Sequence, residues 1–230
     1  IASSQQRTGD YQGAITTLDQ LQALASIKDN PVTMTDLALA KAKALWLAGD
    51  FAHAKELCDG LLSDNANPVM ERSPLHYASA RTGQAVSSLC LAETLDDVFS
   101  VRDPFNMTVQ FLKDYPAVTA GRTAAQLNLG VAEAVYAQIV EETRQDAEVP
   151  LDGAMRAWKQ GLTMQQRAKT PDSAQARVVA ELLQARLQSN LAWGLLRMPR
   201  ERDNVKRASE LVGKALEMND KLPPATAKEG

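Results

Sequence analysis

Residues 45–62 read LWLAGDFAHAKELCDGLL, and residues 8–24 read TGDYQGAITTLDQLQAL. Set on their glycines, Gly9 and Gly49, the two stretches share a Gly-Asp-aromatic triplet ending in Tyr11 and Phe51. An alanine follows in each (Ala14, Ala54), and then come leucines at helical spacing. A phrase written twice in one chain marks an internal repeat. The residue types fit a helix–turn–helix unit. Glycine closes a helix where the backbone must turn left-handed at little cost. An alanine one turn into the next helix lets two helix axes approach to about 8–9 Å. The aromatic then plugs the gap beside the turn.

Further copies extend the pattern. RTGQAVSSLCLAETL aligns on Gly83, with Ala85 in place of the aromatic and Ser88 where Ala14 and Ala54 stand. PLDGAMRAWKQGL supplies Ala154, Trp158 and Leu162; VKRASELVGKALEMNDKLP supplies Ala208, Val212, Ala215 and Leu216. Proline and cap signals at Pro31, Pro68, Ser73-Pro74, Asp103-Pro104, Pro116, Pro150, Thr170-Pro171 and Pro199 divide the chain. They predict helices over 10–26, 33–48, 51–63, 74–100, 104–114, 119–146, 151–167, 171–197 and 203–218, with little support for strands. Val179, Leu183, Leu187, Leu191 and Leu195 form an apolar ladder at spacing four.

These phrases resemble the tetratricopeptide repeat. In that family a first helix with a Leu-Gly-like pair, a tight Gly-Asp-Tyr turn and an Ala-bearing second helix recur. LNLG at Leu127–Gly130 and NLAWGL at Asn190–Leu195 are similar to its first-helix signature. The resemblance implies an all-α, right-handed α-α superhelix, a TPR-like solenoid, of about four to five antiparallel pairs with irregular, lengthened helices. It implies one repeat domain over 1–221, with 222–230 as a loose tail. The packing set is then Gly9, Tyr11, Ala14, Gly49, Phe51, Ala54, Gly130, Ala154, Trp158, Ala208 and Ala215. Trp46 and Trp193 join Trp158 as packing anchors, with interface hot spots as the second reading of the three.

Chemistry for catalysis is thin. The chain of 230 residues carries a net charge of −3, which speaks against a nucleic-acid partner. Its histidines, His53 and His76, have no ligand or nucleophile partners at metal or catalytic spacing. Cys58 and Cys90 lie among leucines and read as buried thiols. The paired carboxylates Asp96-Asp97 and Glu141-Glu142 diverge on a helix and suit solvent, as do Asp146 and Glu148. No catalytic residue, metal site or cofactor is expected, and no apolar run is long enough to span a bilayer.

The expected function is therefore a non-enzymatic protein–protein interaction scaffold, a peripheral subunit or assembly factor of a larger complex. Its partners would be other protein subunits or peptide segments. Contact candidates are Lys43 and the mixed-charge stretch RMPRERDNVKR, with Arg197, Arg200, Arg202, Lys206 and Arg207. Lys43 is also the one position that matches the Lys and Asn residues with which some family members clamp a chaperone tail. The alternative is a compact bundle holding an apolar ligand against the leucine ladder, or docking beside a membrane complex. The compartment is open. The chain starts at Ile1, which permits a removed targeting peptide upstream and an organellar or other intracellular location.

Overall fold

The structure is a computed structural model. It describes residues 2–24, 30–63, 73–115, 119–142, 147–169, 171, 173–198 and 203–221. Among the described residues there are ten α-helices and no strand. In chain order they are α1 (Ala2–Thr8), α2 (Tyr11–Ala23), α3 (Pro31–Leu47), α4 (Phe51–Ser63) and α5 (Pro74–Leu91). Then come α6 (Leu95–Phe111), α7 (Thr119–Glu142), α8 (Glu148–Arg167), α9 (Ala174–Arg197) and α10 (Asn204–Lys221). A 3₁₀ turn, Leu112–Asp114, extends α6. The chain divides into two compact units, Ile1–Pro104 and Phe105–Gly230.

In the first unit the Gly-Asp pairs each close one helix and open the next. Gly9 and Gly49 share a φ of 83°. The Asp10 amide donates to the Gln5 carbonyl at 2.9 Å and the Gly9 amide to Gln6 at 3.4 Å. The Asp50 amide donates to Leu45 at 2.9 Å and the Gly49 amide to Trp46 at 3.1 Å. This is the same Schellman closure twice, satisfying carbonyls that a helix end otherwise leaves open. The aspartates then cap the next helix: Asp10 accepts from the Gly13 amide at 2.9 Å and Asp50 from the His53 amide at 3.3 Å. Ala14, Ile15, Leu18, Ala44, Leu45 and Ala54 pack as one core beneath these turns. Tyr11 and Phe51, expected in the core, are only half-buried, since each sits at the first position of its helix on the rim of the turn.

Three readings of the chain are corrected here. Gly83 does not mark a third turn; it lies inside α5, which runs unbroken from Pro74 to Leu91. Its neighbour is Gln84, not the capping aspartate that follows Gly9 and Gly49. Asp103-Pro104 does not start a helix: Pro104 lies inside α6. The buried residues Val98, Val101, Phe105, Thr108, Val109 and Leu112 keep helical phase on both sides of it, and that continuous burial outweighs the lost hydrogen bond. The real break falls at 92–94, where Thr94 and Asp97 form a reciprocal capping box. The Asp97 amide donates to Thr94 Oγ1 at 3.2 Å, and the Thr94 amide to Asp97 Oδ2 at 2.9 Å. Similarly Ser173 caps α9, accepting from the Ala176 amide at 3.1 Å, so Pro171 precedes the helix instead of opening it; Thr170 lies outside the described residues.

The second unit is built on α7, α8, α9 and α10. Its core gathers Leu127, Ala134, Ala154, Met155, Trp158, Leu187, Leu191, Ala192, Leu195 and Ala208. The upper end of the ladder escapes it: Val179 is exposed. Helix α10 has 18 residues against 24 in α9, so a returning α10 runs out near the level of Val179.

Candidate protein-interaction surface

Helices α7 and α8 run antiparallel and are joined by matched contacts along their length. Thr123 Oγ1 donates to Gln165 Oε1 at 3.3 Å, and Trp158 Nε1 donates to the Leu127 carbonyl at 3.2 Å. A Cβ added at Gly130 would overlap the Trp158 indole, and one at Gly153 would touch Glu133 at 3.4 Å. On the other side of α8, Gly194 of α9 meets Met155 and Trp158, while Gly161 faces Leu187 at 3.1 Å. Trp158 therefore sits between two glycines on two different helices. The small residues let α7, α8 and α9 close on it.

With the inner faces so occupied, the outer side of α9 carries what is left. Trp193 packs edge-on against Trp158, with ring centroids 6.3 Å apart and planes at 79°. It still shows 37% of its surface, and neighbouring Leu196 shows 59%. The Arg197 guanidinium lies 5.5 Å from the Trp193 ring centre and pairs with Glu141 at the end of α7. An exposed Trp and Leu beside a partnered Arg combine residue types that dominate binding hot spots. Trp193 and Trp46 were expected as packing anchors; both stay more than a third exposed, and only Trp158 is fully enclosed.

The other candidate positions fall as follows. Ala14, Ala54, Ala154, Ala208 and Ala215 are buried, as is Gly130. Lys43 is exposed on α3, and Lys206 and Arg207 are exposed on the first turn of α10. Arg200 and Arg202 lie outside the described residues, as do Asp146, Pro68, Pro116, Pro199 and the tail 222–230.

Both histidines are engaged in structure. His53 Nδ1 lies 2.8 Å from Asp50 Oδ2, and His76 Nε2 lies 2.8 Å from Asp36 Oδ1, bridging α5 to α3. The His53 contact holds Asp50 below the usual carboxylate range. Asp97 is lowered by the Thr94 hydroxyl and by the amides of Thr94 and Glu93. Cys58 is buried opposite Gly83, and burial pushes its thiol up to about 11, with Asp59 adding to the rise. Cys90, expected to be buried, is exposed near the end of α5. Among the described residues no three metal-capable side chains converge, and no helix is long and apolar enough to cross a membrane.

No family model matches the chain, and no curated protein matches it. Among solved structures the chain is similar to a crystal structure described as a kinesin light chain of Podosopora anserina with nearly identical TPR-like repeats. That likeness has a TM-score of 0.53 at 17% identity and covers 96% of this chain and 92% of the other. At that identity it bears on fold alone, and the fold is an all-α, TPR-like solenoid.

Proposed function

We propose that the protein is a non-enzymatic interaction scaffold, a peripheral subunit or assembly factor that holds another protein against its helices. The observation that carries this reading is the end of α9. There Trp193 and Leu196 remain open beside Arg197 on a helix whose other side is committed to the core. Exposed aromatic surface next to a positioned guanidinium is costly to leave in water and gains most from a protein partner. Lys206 and Arg207 in the second unit, and separately Lys43 in the first, are exposed candidates for contact with acidic groups.

The test is affinity purification from the native source with the unaltered chain and with Trp193→Ala/Arg197→Glu. The reading expects a stoichiometric protein partner that the double variant loses while its helical circular dichroism stays the same. A partner retained by the variant, or none recovered with either chain, contradicts it.

A further inference from the structure

We propose that the outer face of α10 is the docking site for a second copy of this chain, with the two α10 helices antiparallel. The argument starts from the repeat register. Leu18, Cys58 and Trp158 each follow their alanine (Ala14, Ala54, Ala154) by four residues, and they are 3%, 1% and 1% exposed. Cys58 is covered by Gly83 of the following helix, and Trp158 by Gly194 of the following helix. The matching position on α10, four residues after Ala208, is Val212, and it is 42% exposed.

The neighbours repeat the contrast. In α8 Leu151 and Met155 are buried and Leu162 packs on the core. Their counterparts on α10, placed by aligning Ala154 with Ala208, are Val205, Ser209 and Leu216, and all three are exposed. Val205 stands at 69% and Leu216 at 58%. The face is thus one more copy of an interface the protein closes elsewhere. In α8 the closing element is the antiparallel helix α9, which sets Gly194 against Met155 and Trp158, while Gly161 of α8 receives Leu187 of α9.

Helix α10 carries both halves of that arrangement. Gly213 lies beside Val212 inside the helix, and a Cβ there would meet nothing within 4 Å. A glycine in a helix interior costs about 1 kcal/mol relative to alanine, and among the described residues no contact uses this one. Setting two α10 helices antiparallel with Val212 over the other copy's Gly213 also places Leu216 over its Ser209. Both contacts are bulky on small, and the two-fold axis repeats each of them. The same alignment brings Lys206 near Asp220 at both ends, whereas a parallel pair sets like charges together. A single helix face is a small interface, so the dimer is weak and forms at about 10–100 µM.

Sedimentation equilibrium across that range is the test. The unaltered chain shifts from 25.0 kDa toward twice that mass, and Val212→Asp and Gly213→Leu stay monomeric with unchanged circular dichroism. Lys206→Glu weakens association at least tenfold, and adding Asp220→Lys restores it. In a Cys90→Ser background, chains carrying Ser209→Cys and Leu216→Cys form a mixed disulfide dimer when combined, and neither does so alone. A monomer throughout, a dimer indifferent to Val212→Asp, or like-with-like cross-linking overturns the proposal.

Discussion

Trp158 Nε1 donates to the Leu127 carbonyl at 3.2 Å, and Gly130, one turn further along α7, leaves the space the indole occupies. Sequence and packing meet at this pair. The glycine is a weak helix former that persists where any side chain would strike the ring. Gly130→Ala is expected to destabilise the protein by about 1–3 kcal/mol through overpacking, despite its better helix propensity. Gly60 in α4, with nothing within 4 Å of an added Cβ, is the control. Gly60→Ala should raise stability by up to about 1 kcal/mol. Urea titration of the two variants reads the contrast, and equal effects would count against it.

Alanine at the helix crossings makes the same claim from the other partner. Ala54 is 1% exposed and Ala154 is 0% exposed. Ala54→Leu and Ala154→Leu should each cost about 1–3 kcal/mol, because neither site has room to relax. Ala54→Ser tests whether polarity or volume matters; a penalty as large as that of leucine would argue against volume.

The Gly-Asp turns predict a pair of separable losses. Gly49→Ala forces a side chain into a left-handed backbone and should cost about 1 kcal/mol. Asp50→Ala removes the cap on α4 and should cost about 1 kcal/mol as well. Gly9→Ala should match Gly49→Ala, since the backbone closure is the same, and Asp10→Ala should cost no more than Asp50→Ala, which also loses the contact with the His53 ring. Thermal melts of the four variants check both comparisons.

The two thiols should differ sharply. Cys90 is exposed and should react with a thiol reagent in the native state; Cys58 should react only on unfolding. Cys58 titrates near 11 when folded against an ordinary 9.0, so its contribution to stability is fully present below pH 9.0. That contribution declines as pH rises toward about 11, because only the unfolded chain readily loses the proton. Two thiols reacting at the same rate in the native protein would contradict the burial of Cys58.

Acid should act through Asp97. Its carboxyl is lowered by the Thr94 hydroxyl and two amides, so its stabilising effect is present above the ordinary carboxylate range and is lost as pH falls through the folded value. Asp97→Asn should flatten the fall in urea midpoint below about pH 4 relative to the unaltered chain. Parallel curves would show that the capping box does not set the acid limb.

The parts of the fold legible in the sequence were those fixed by local backbone chemistry. Gly9-Asp10 and Gly49-Asp50 carry a turn in their own residue types, and the structure builds both the same way. Gly83 misled because glycine serves two ends: without the capping aspartate it belongs to a helix and makes room for Cys58. Thr94-Leu-Asp-Asp97 held a readable capping signal, but Pro104 is the louder punctuation and drew the boundary to itself. At the candidate surface, periodicity placed Trp193 on an apolar helix. It could not separate the centre of the buried stripe from its flank, a distinction set by where Gly194 and Trp158 meet. The pairing of Arg197 with Glu141 was not legible at all, since it joins residues 56 apart in the chain.

The central claim is that helices close on one another by setting bulky side chains over small ones, as Trp158 does over Gly130. A double-mutant cycle on these two residues tests it most directly. With Trp158→Ala in place, the room beside Gly130 is empty, and Gly130→Ala should become neutral or stabilising, by up to about 1 kcal/mol. A Gly130→Ala penalty of the same size with and without the tryptophan would contradict the account.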